Sequence, residues 1–380
     1  MMRHSPPKVA LLFEPINSYA RGLLRGIGEF MLGHERWHVH YVELGTREGL
    51  PEWLLSWNGA GVIVRGENPK VARLVEKLRM PVVDLTPSRL LPRAPWVKSD
   101  DGAIARLAVT HFIERGFRHF AYCGISGLLW SDRRGDYFRQ YLQEAGYDCH
   151  LYKKSHASRG DAETDRIGQW LKTLPRPLAV FTCLDTRGRQ VVEACLRAGL
   201  SVPEEVAVLG VDDDEVVSAL SPVPLSSVVL NPHRAGWEAA ALLSRMMAGE
   251  NAPQAELFVP PISVATRQSS DVLAVHDPQI AQALRFIREH GCEGIGVGDV
   301  LRHCPMARRV LEQRFQRLLG RTPREEIVRI QIMRARELLI GTDLSMSEIA
   351  ARVGFETAYF SVIFKRQTGV TPREFRNRER

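Results

Sequence analysis

The last hundred residues of the chain contain one small unit written twice, and no other feature restricts the fold as much. LEQRFQRLLGRTPREE at 311–326 and FSVIFKRQTGVTPREF at 360–375 align at a constant offset of 49 residues. Leu311 falls on Phe360, Phe315 on Phe364 and Gly320 on Gly369, and Thr-Pro-Arg-Glu at 322–325 recurs at 371–374. The register continues upstream without a gap, with Asp299 on Glu348, Val300 on Ile349 and Pro305 on Gly354. Two copies are too few for a solenoid, which needs about three or more to bury its faces. Each copy is therefore a small supersecondary unit.

The most visible identity is punctuation. Thr322 and Thr371 read as helix N-caps, with Pro at the first helical position and Glu325 or Glu374 closing a capping box. Gly320 and Gly369 stop the preceding helices. The pattern predicts a helix over 297–303, a break at Cys304-Pro305 and a helix over 307–319 in the first copy. In the second it predicts helices over 346–353 and 357–368 around a break at Gly354-Phe355. A short helix, a tight turn and a longer helix make a helix-turn-helix. Between the copies, REEIVRIQIMRARELLIGT predicts a long spacer helix.

Charge supports a polyanionic partner for this region. Of the chain's formal +7, all is found in residues 280–380, which hold 19 Lys/Arg against 12 Asp/Glu; the preceding 279 residues hold 32 of each. A basic module on a neutral body suits double-stranded DNA. The second helix of such a unit offers its exposed side chains to base edges in the major groove. In the first copy these are Arg308, Arg309, Glu312 and Gln313, which can address guanine, cytosine and adenine; in the second they are Thr357, Ala358, Tyr359, Ser361 and Val362. The two copies therefore read different sequences. Arg314, Arg317, Lys365, Arg366 and Arg373 are placed for phosphates, which position without specifying.

The run MSEIAARVGFETAYFSVIFKRQTGVTPREFR, preceded by GDVLRHCPMARRVLEQRFQRLLGRTPREE, resembles the DNA-binding domain of the AraC family of transcription regulators. The resemblance implies two recognition helices entering successive major grooves on one face of DNA. Ala307 stands where the family usually opens its first recognition helix with Ser, and the second unit is one residue shorter than usual between Phe355 and Tyr359.

Residues 9–264 follow another pattern. Short β-branched runs (9–13, 38–44, 61–64, 81–85, 119–125, 178–183, 206–211 and 226–230) alternate with helical stretches (18–32, 69–79, 101–115, 133–145, 185–198 and 233–248). That alternation predicts parallel sheets covered on both faces, and the length fits two lobes. The expected organisation is an α/β body over 1–270, a polar linker over 271–279 and an all-α module over 280–380. The body resembles the effector domain of LacI/GalR regulators and the type I periplasmic sugar-binding proteins. The residues that carry this are FEPINSYARGLL, VKSDDGAIARLAVTHFIERGFRHFAYCG, DTRGRQVVEACLRAGLSVPEEVAVLGVDDDE and LSSVVLNPHRAGWEAAALL.

A sugar site needs planar polar groups for paired hydroxyls and an aromatic face, at the carboxyl ends of strands in the interlobe cleft. Asp212 and Asp185 end strands there, and Asp100 with the Asn17/Tyr19 loop faces the cleft from the first lobe. Arg134 matches the family's sugar-contacting arginine by its distance from Phe138, and Trp130 is a stacking lid. The resemblance implies a homodimer controlled by a small sugar, a pentose such as xylose, that activates sugar-utilisation genes with RNA polymerase as partner. No cofactor, metal or catalytic group is expected. The six cysteines show no ligand spacing, and no P-loop, G-x-S-x-G or HExxH accompanies the DDDE run at 212–215. An α/β sugar-processing enzyme fused to a DNA-binding module would need a nucleophile or metal set that the sequence lacks. A phosphorylation-responsive receiver domain would be half as long. No apolar run approaches the ~18 residues of a membrane span, and the N-terminus lacks a cleavage site, so a cytoplasmic location is expected.

Overall fold

The computed structural model describes residues 6–14, 17–44, 52–152, 160–250, 256–272 and 277–379. The middle of the expected linker lies outside them. The α/β body holds two six-stranded sheets. The first is built from β1 (Lys8–Phe13), β2 (His38–Glu43), β3 (Gly61–Arg65), β4 (Val82–Asp84), β5 (Trp96–Ser99) and β11 (Glu256–Val259), in the order β11-β5-β4-β3-β1-β2. The second comprises β6 (His119–Cys123), β7 (Cys149–Leu151), β8 (Leu178–Thr182), β9 (Val206–Val211), β10 (Ser226–Val229) and β12 (Ser263–Ala265), in the order β12-β10-β9-β8-β6-β7. Every pairing is parallel except that of β10 with β12.

The strands alternate between two buried faces. Val9, Leu11 and Phe13 join one core of the first lobe, while Ala10 and Leu12 join the other. In the second lobe Ala179 and Phe181 face one core, and Leu178 and Val180 the opposite one. Continuous apolar runs with no polar side are what helices on both faces of a parallel sheet require.

The chain crosses between lobes three times, at Ser99–Asp101, Val229–Pro232 and Val259–Ser263. The first crossing sends helix Asp101–Glu114 onto the second lobe, where Ile104 and Phe112 share a core with Phe138 and Leu142. The second returns helix Pro232–Met247 to the first lobe, against helix Ser18–Gly33. Those two helices touch backbone to backbone. A Cβ on Gly26 would lie 1.9 Å from the His233 carbonyl oxygen, and one on Gly236 2.0 Å from that of Leu23.

Both repeats are helix-turn-helix units of equal dimensions. The first comprises helices Val297–His303 and Arg308–Leu319, the second Met346–Arg352 and Thr357–Thr368. The spacer helix Pro323–Gly341 belongs to both cores. Ile327 and Ile330 pack with Leu311 and Phe315, and Ala335 and Leu339 with Phe360 and Phe364. The Thr-Pro-Arg-Glu segments close as capping boxes: Glu325 N donates to Thr322 Oγ1 at 3.3 Å and Glu374 N to Thr371 Oγ1 at 3.2 Å. Gly320 and Gly369 end the recognition helices at φ +68° and +80°, a conformation that favours glycine.

Sequence periodicity missed four strands, β5, β7, β11 and β12, and helix Asp161–Lys172. These strands read WVKS, CHL, ELFV and SVA, with at most one β-branched residue each, so no β-branched run marks them as it marks the equally short β4 and β10.

Candidate functional site

A cavity of about 330 Å³ lies between the lobes, at the low end of the range for small-molecule sites. Its wall follows the strand ends: Glu14, Asn17 and Tyr19 come after β1, Arg65 closes β3, and Ser99 and Asp101 lie at the end of β5. From the second lobe come Trp130 and Arg134, on helix Leu129–Glu144, Leu184 after β8 and Asp212 after β9. Parallel strands bring their carboxyl ends to one edge of each sheet, so the loops of both lobes converge on the cleft.

Asp212 is the most exceptional residue of the lining. It holds φ at +111° and its neighbour Asp213 at +55°, in a region that costs L-residues energy. The loop is pinned in that shape: Asp213 N donates to Ser227 Oγ at 3.0 Å, and Arg267 Nη2 donates to Asp213 Oδ1 at 2.7 Å. The Asp212 carboxylate itself makes no hydrogen bond among the described residues. Burial pushes its pKa up to about 6, against the opposing pull of Arg134 and Arg65.

Arg134 is buried and held in place. Its Nε and Nη2 donate to Asp101 Oδ1 at 3.3 and 2.9 Å, and Nη1 donates to the Cys183 carbonyl. Its guanidinium lies 5.5 Å from the centre of a Trp130 ring. Lys98 donates to the other Asp101 oxygen. On the opposite side, Tyr19 and Ser99 share a hydrogen bond of 2.9 Å, and Arg65 sits over the Tyr19 ring at 5.5 Å. Arg65 Nε is buried with no partner in the described structure. The unpartnered Arg65 Nε and the half-buried Asp212 carboxylate, which makes no hydrogen bond, offer a donor and an acceptor to a hydroxylated ligand.

Of the seven effector residues read from the sequence, five line this cavity: Asn17, Tyr19, Trp130, Arg134 and Asp212. Asn17 also caps helix Ser18–Gly33 by accepting from Ala20 N at 2.8 Å. The other two stand behind the lining. Asp100 accepts from Ala103 N at 2.9 Å as the N-cap of helix Asp101–Glu114. Asp185 accepts from Ser227 Oγ at 2.6 Å and from Asp214 N at 2.7 Å, supporting the loop that carries Asp212. Burial, and next the Asp212 charge, hold its pKa well above the usual carboxylate range. Glu14, Arg65, Lys98 and Asp101 also line the cavity and are not among the residues expected from the sequence. Arg65 was within reach, because it directly follows the run GVIV.

In the helical module the recognition helices present the expected positions. Arg308, Arg309, Gln313 and Arg317 are exposed, and so are Thr357, Ala358, Tyr359, Ser361, Lys365 and Arg366. Arg308 pairs with Glu312 at 2.9 Å along the helix. Arg314 instead turns back to Asp277 Oδ2 at 3.1 Å and Gln279 Oε1 at 3.0 Å, which fastens the recognition helix to helix Pro278–His290. Arg373 is exposed at the start of the last helix. Both recognition helices begin without a side-chain cap, at Ala307 and Glu356. Their first-turn N–H groups are thus left without side-chain acceptors, and such groups suit phosphate oxygens.

Two parallel-sheet lobes around a polar cavity, joined to tandem helix-turn-helix units, define a sugar-sensing, DNA-binding transcription regulator. Residues 109–270 match the periplasmic binding protein-like domain family, and residues 301–378 a helix-turn-helix domain family. The chain is 31% identical to the xylose operon regulatory protein of Haemophilus influenzae, over 97% of this chain and 98% of that protein. It is also 31% identical to the protein of that name from Escherichia coli (strain K12), over 97% of each. Among solved structures it resembles the xylose-binding transcription activator XylR, at 30% identity and a TM-score of 0.65 over 99% of both chains. The chain belongs to the family of xylose operon regulatory proteins, AraC-type regulators with a LacI-like effector domain.

Proposed function

We propose that the effector is xylose or a closely related pentose, bound in the interlobe cavity. Asp212 and the unpaired Nε of Arg65 meet its hydroxyls, Arg134 and Asn17 flank it, and Trp130 with Tyr19 supplies apolar faces. The observation that carries this reading is Asp212 on one lobe, whose carboxylate makes no hydrogen bond, and Arg65 on the other, whose Nε has no partner, both lining a cavity of monosaccharide size. A ligand joining them stabilises the closed arrangement of the lobes. Asp185 and Asp100 act from behind, one supporting the Asp212 loop and the other starting helix Asp101–Glu114.

The path to DNA follows that helix. Asp101, its first residue, bonds Arg134 in the cavity wall, while Glu114, its last, bonds Arg329 of the spacer helix at 2.9 Å. Sugar binding thereby acts on one end of a helix whose other end holds the DNA-binding module. In this reading residues 1–270 sense and residues 280–380 bind DNA. Arg308, Arg309, Glu312, Gln313 and the exposed face of 357–362 meet bases, and Arg317, Lys365, Arg366 and Arg373 meet phosphates. The protein works in the cytoplasm as a homodimer that activates sugar-utilisation genes by engaging RNA polymerase.

Thermal unfolding of the full chain against a panel of pentoses and hexoses tests the assignment. A sugar at about 100 times its Kd adds about 2.7 kcal/mol of stability, and xylose is expected to give the largest shift. Absence of a shift with every pentose and hexose overturns it.

A further inference from the structure

A second, larger cavity of about 670 Å³ opens where the α/β body meets the DNA-binding module. It shares a wall with the sugar cavity, since Lys98 and Asp101 line both. Three arginines converge on it: Arg106 from helix Asp101–Glu114, Arg133 from helix Leu129–Glu144 and Arg336 from the spacer helix. None of the three is in an ion pair among the described residues. Arg106 lies over the Tyr141 ring at 4.3 Å, Arg133 over Trp96 at 5.5 Å and Arg336 over Phe375 at 5.2 Å.

The carboxylates in the same wall are already engaged. Asp101 is paired with Lys98 and Arg134, Glu256 with Arg89, and Asp100 with the backbone of its own helix. Arg106 is also engaged by the Tyr141 hydroxyl, whereas Arg133 and Arg336, resting on aromatic faces, keep their N–H edges available for oxyanions. Flat apolar surface is available beside them: Phe258 and Tyr137 line the cavity at 46% and 39% exposure. Exposed aromatic faces next to unpaired guanidinium groups suit a planar ring carrying a phosphate.

We propose that this cavity is a second effector site, for a nucleoside phosphate. The phosphate takes the arginine fork and the base lies against Tyr137 or Phe258. Because Arg336 comes from the DNA-binding module and the other two arginines from the sensor, an occupant ties the modules together. The wall it shares with the sugar cavity makes its binding sensitive to sugar.

The test is calorimetric titration of the full chain with AMP, glucose 6-phosphate and inorganic phosphate, with and without xylose. AMP is expected to bind. R133A combined with R336A should weaken it at least about tenfold, two missing charge-assisted contacts, while xylose affinity stays within about twofold. Y137A should weaken AMP but not inorganic phosphate. The proposal is overturned if AMP gives no heat, or if its binding survives R133A/R336A. It is equally overturned if glucose 6-phosphate or inorganic phosphate binds as tightly as AMP, or if R336A costs DNA affinity and leaves AMP binding intact. Circular dichroism of each variant confirms folding; the substituted side chains are on the surface of their helices.

Discussion

Arg329 of the spacer helix places Nη1 2.9 Å from Glu114 Oε2, at the end of the helix that begins at the interlobe cavity. The same guanidinium is clamped from its own helix, with Nε and Nη2 donating to the two oxygens of Glu326 at 2.9 and 2.7 Å. Arg115 is buried beside it, and burial together with Arg288 and Arg329 lowers its pKa. Arg288 in turn pairs with Asp271. The contact between sensor and DNA-binding module is thus a shared set of charges rather than an apolar seam.

Arg329→Ala should separate the two activities. Removing Arg329 leaves the half-buried Glu114 without its partner, while Glu326 keeps Arg321 at 3.6 Å, at a cost of about 1 kcal/mol. Xylose affinity, read by calorimetry, should hold, while the xylose-induced gain in operator affinity falls. An unchanged gain would remove the Glu114–Arg329 contact from the signalling path.

Sugar affinity should depend on pH through Asp212. Its pKa is raised to about 6 in the free protein, and a carboxylate accepting sugar hydroxyls must be ionised. Affinity is therefore full above that value and falls by up to about tenfold per pH unit below it. For folding the sign is reversed. A raised carboxyl pKa means that the native state holds its proton longer, so this group's contribution to stability is largest at low pH and diminishes as pH rises toward 6. Titrations at pH 7.5 and 5 check the binding slope, and Asp212→Asn should flatten it.

Arg309 is exposed near the start of the first recognition helix and carries no ion pair among the described residues. Arg309→Ala should cost about 1–3 kcal/mol in operator affinity and relax preference at one base pair. Binding to single-base operator variants reads this directly. An equal loss on random DNA would make Arg309 a phosphate contact.

Gly236 lets two helices of the first lobe meet at backbone distance. Gly236→Ala would set a methyl 2.0 Å from the Leu23 carbonyl oxygen, and relieving it requires the helices to part. A loss of about 1–3 kcal/mol is expected, measured as a lower denaturation midpoint, with DNA affinity of the folded fraction retained.

How much was legible depended on the range of the interactions. The helix-turn-helix units could be read because caps, glycine stops and 3.6-residue periodicity are local, and the structure places those helices within a residue or so of the expected bounds. The two-lobed sheets could be read from the alternation of β-branched runs with helical stretches, except for short strands poor in β-branched residues. Asp212 could be singled out because it directly follows an apolar strand of a parallel sheet, whose carboxyl end faces the cleft; Asp84, ending β4, instead turns back to the backbone of Thr86 and Leu91. Asp100 and Asp101 mark the limit. Both are acidic neighbours at one helix start, and only the helix phase decides that Asp100 caps while Asp101 turns into the cavity to meet Lys98 and Arg134.

The sequence by itself therefore determined a neutral α/β body, a basic tandem helix-turn-helix module and the strand ends around which a sugar site could form. Only the tertiary structure decided which side chains share that site, because Arg65, Asp101, Arg134 and Asp212 are brought together by strand order and three chain crossings. It also decided that Arg314 turns to Asp277 rather than outward, and that Glu114 meets Arg329 across 215 residues of chain. Such pairings depend on where separate elements pack, and no local pattern of residues encodes that.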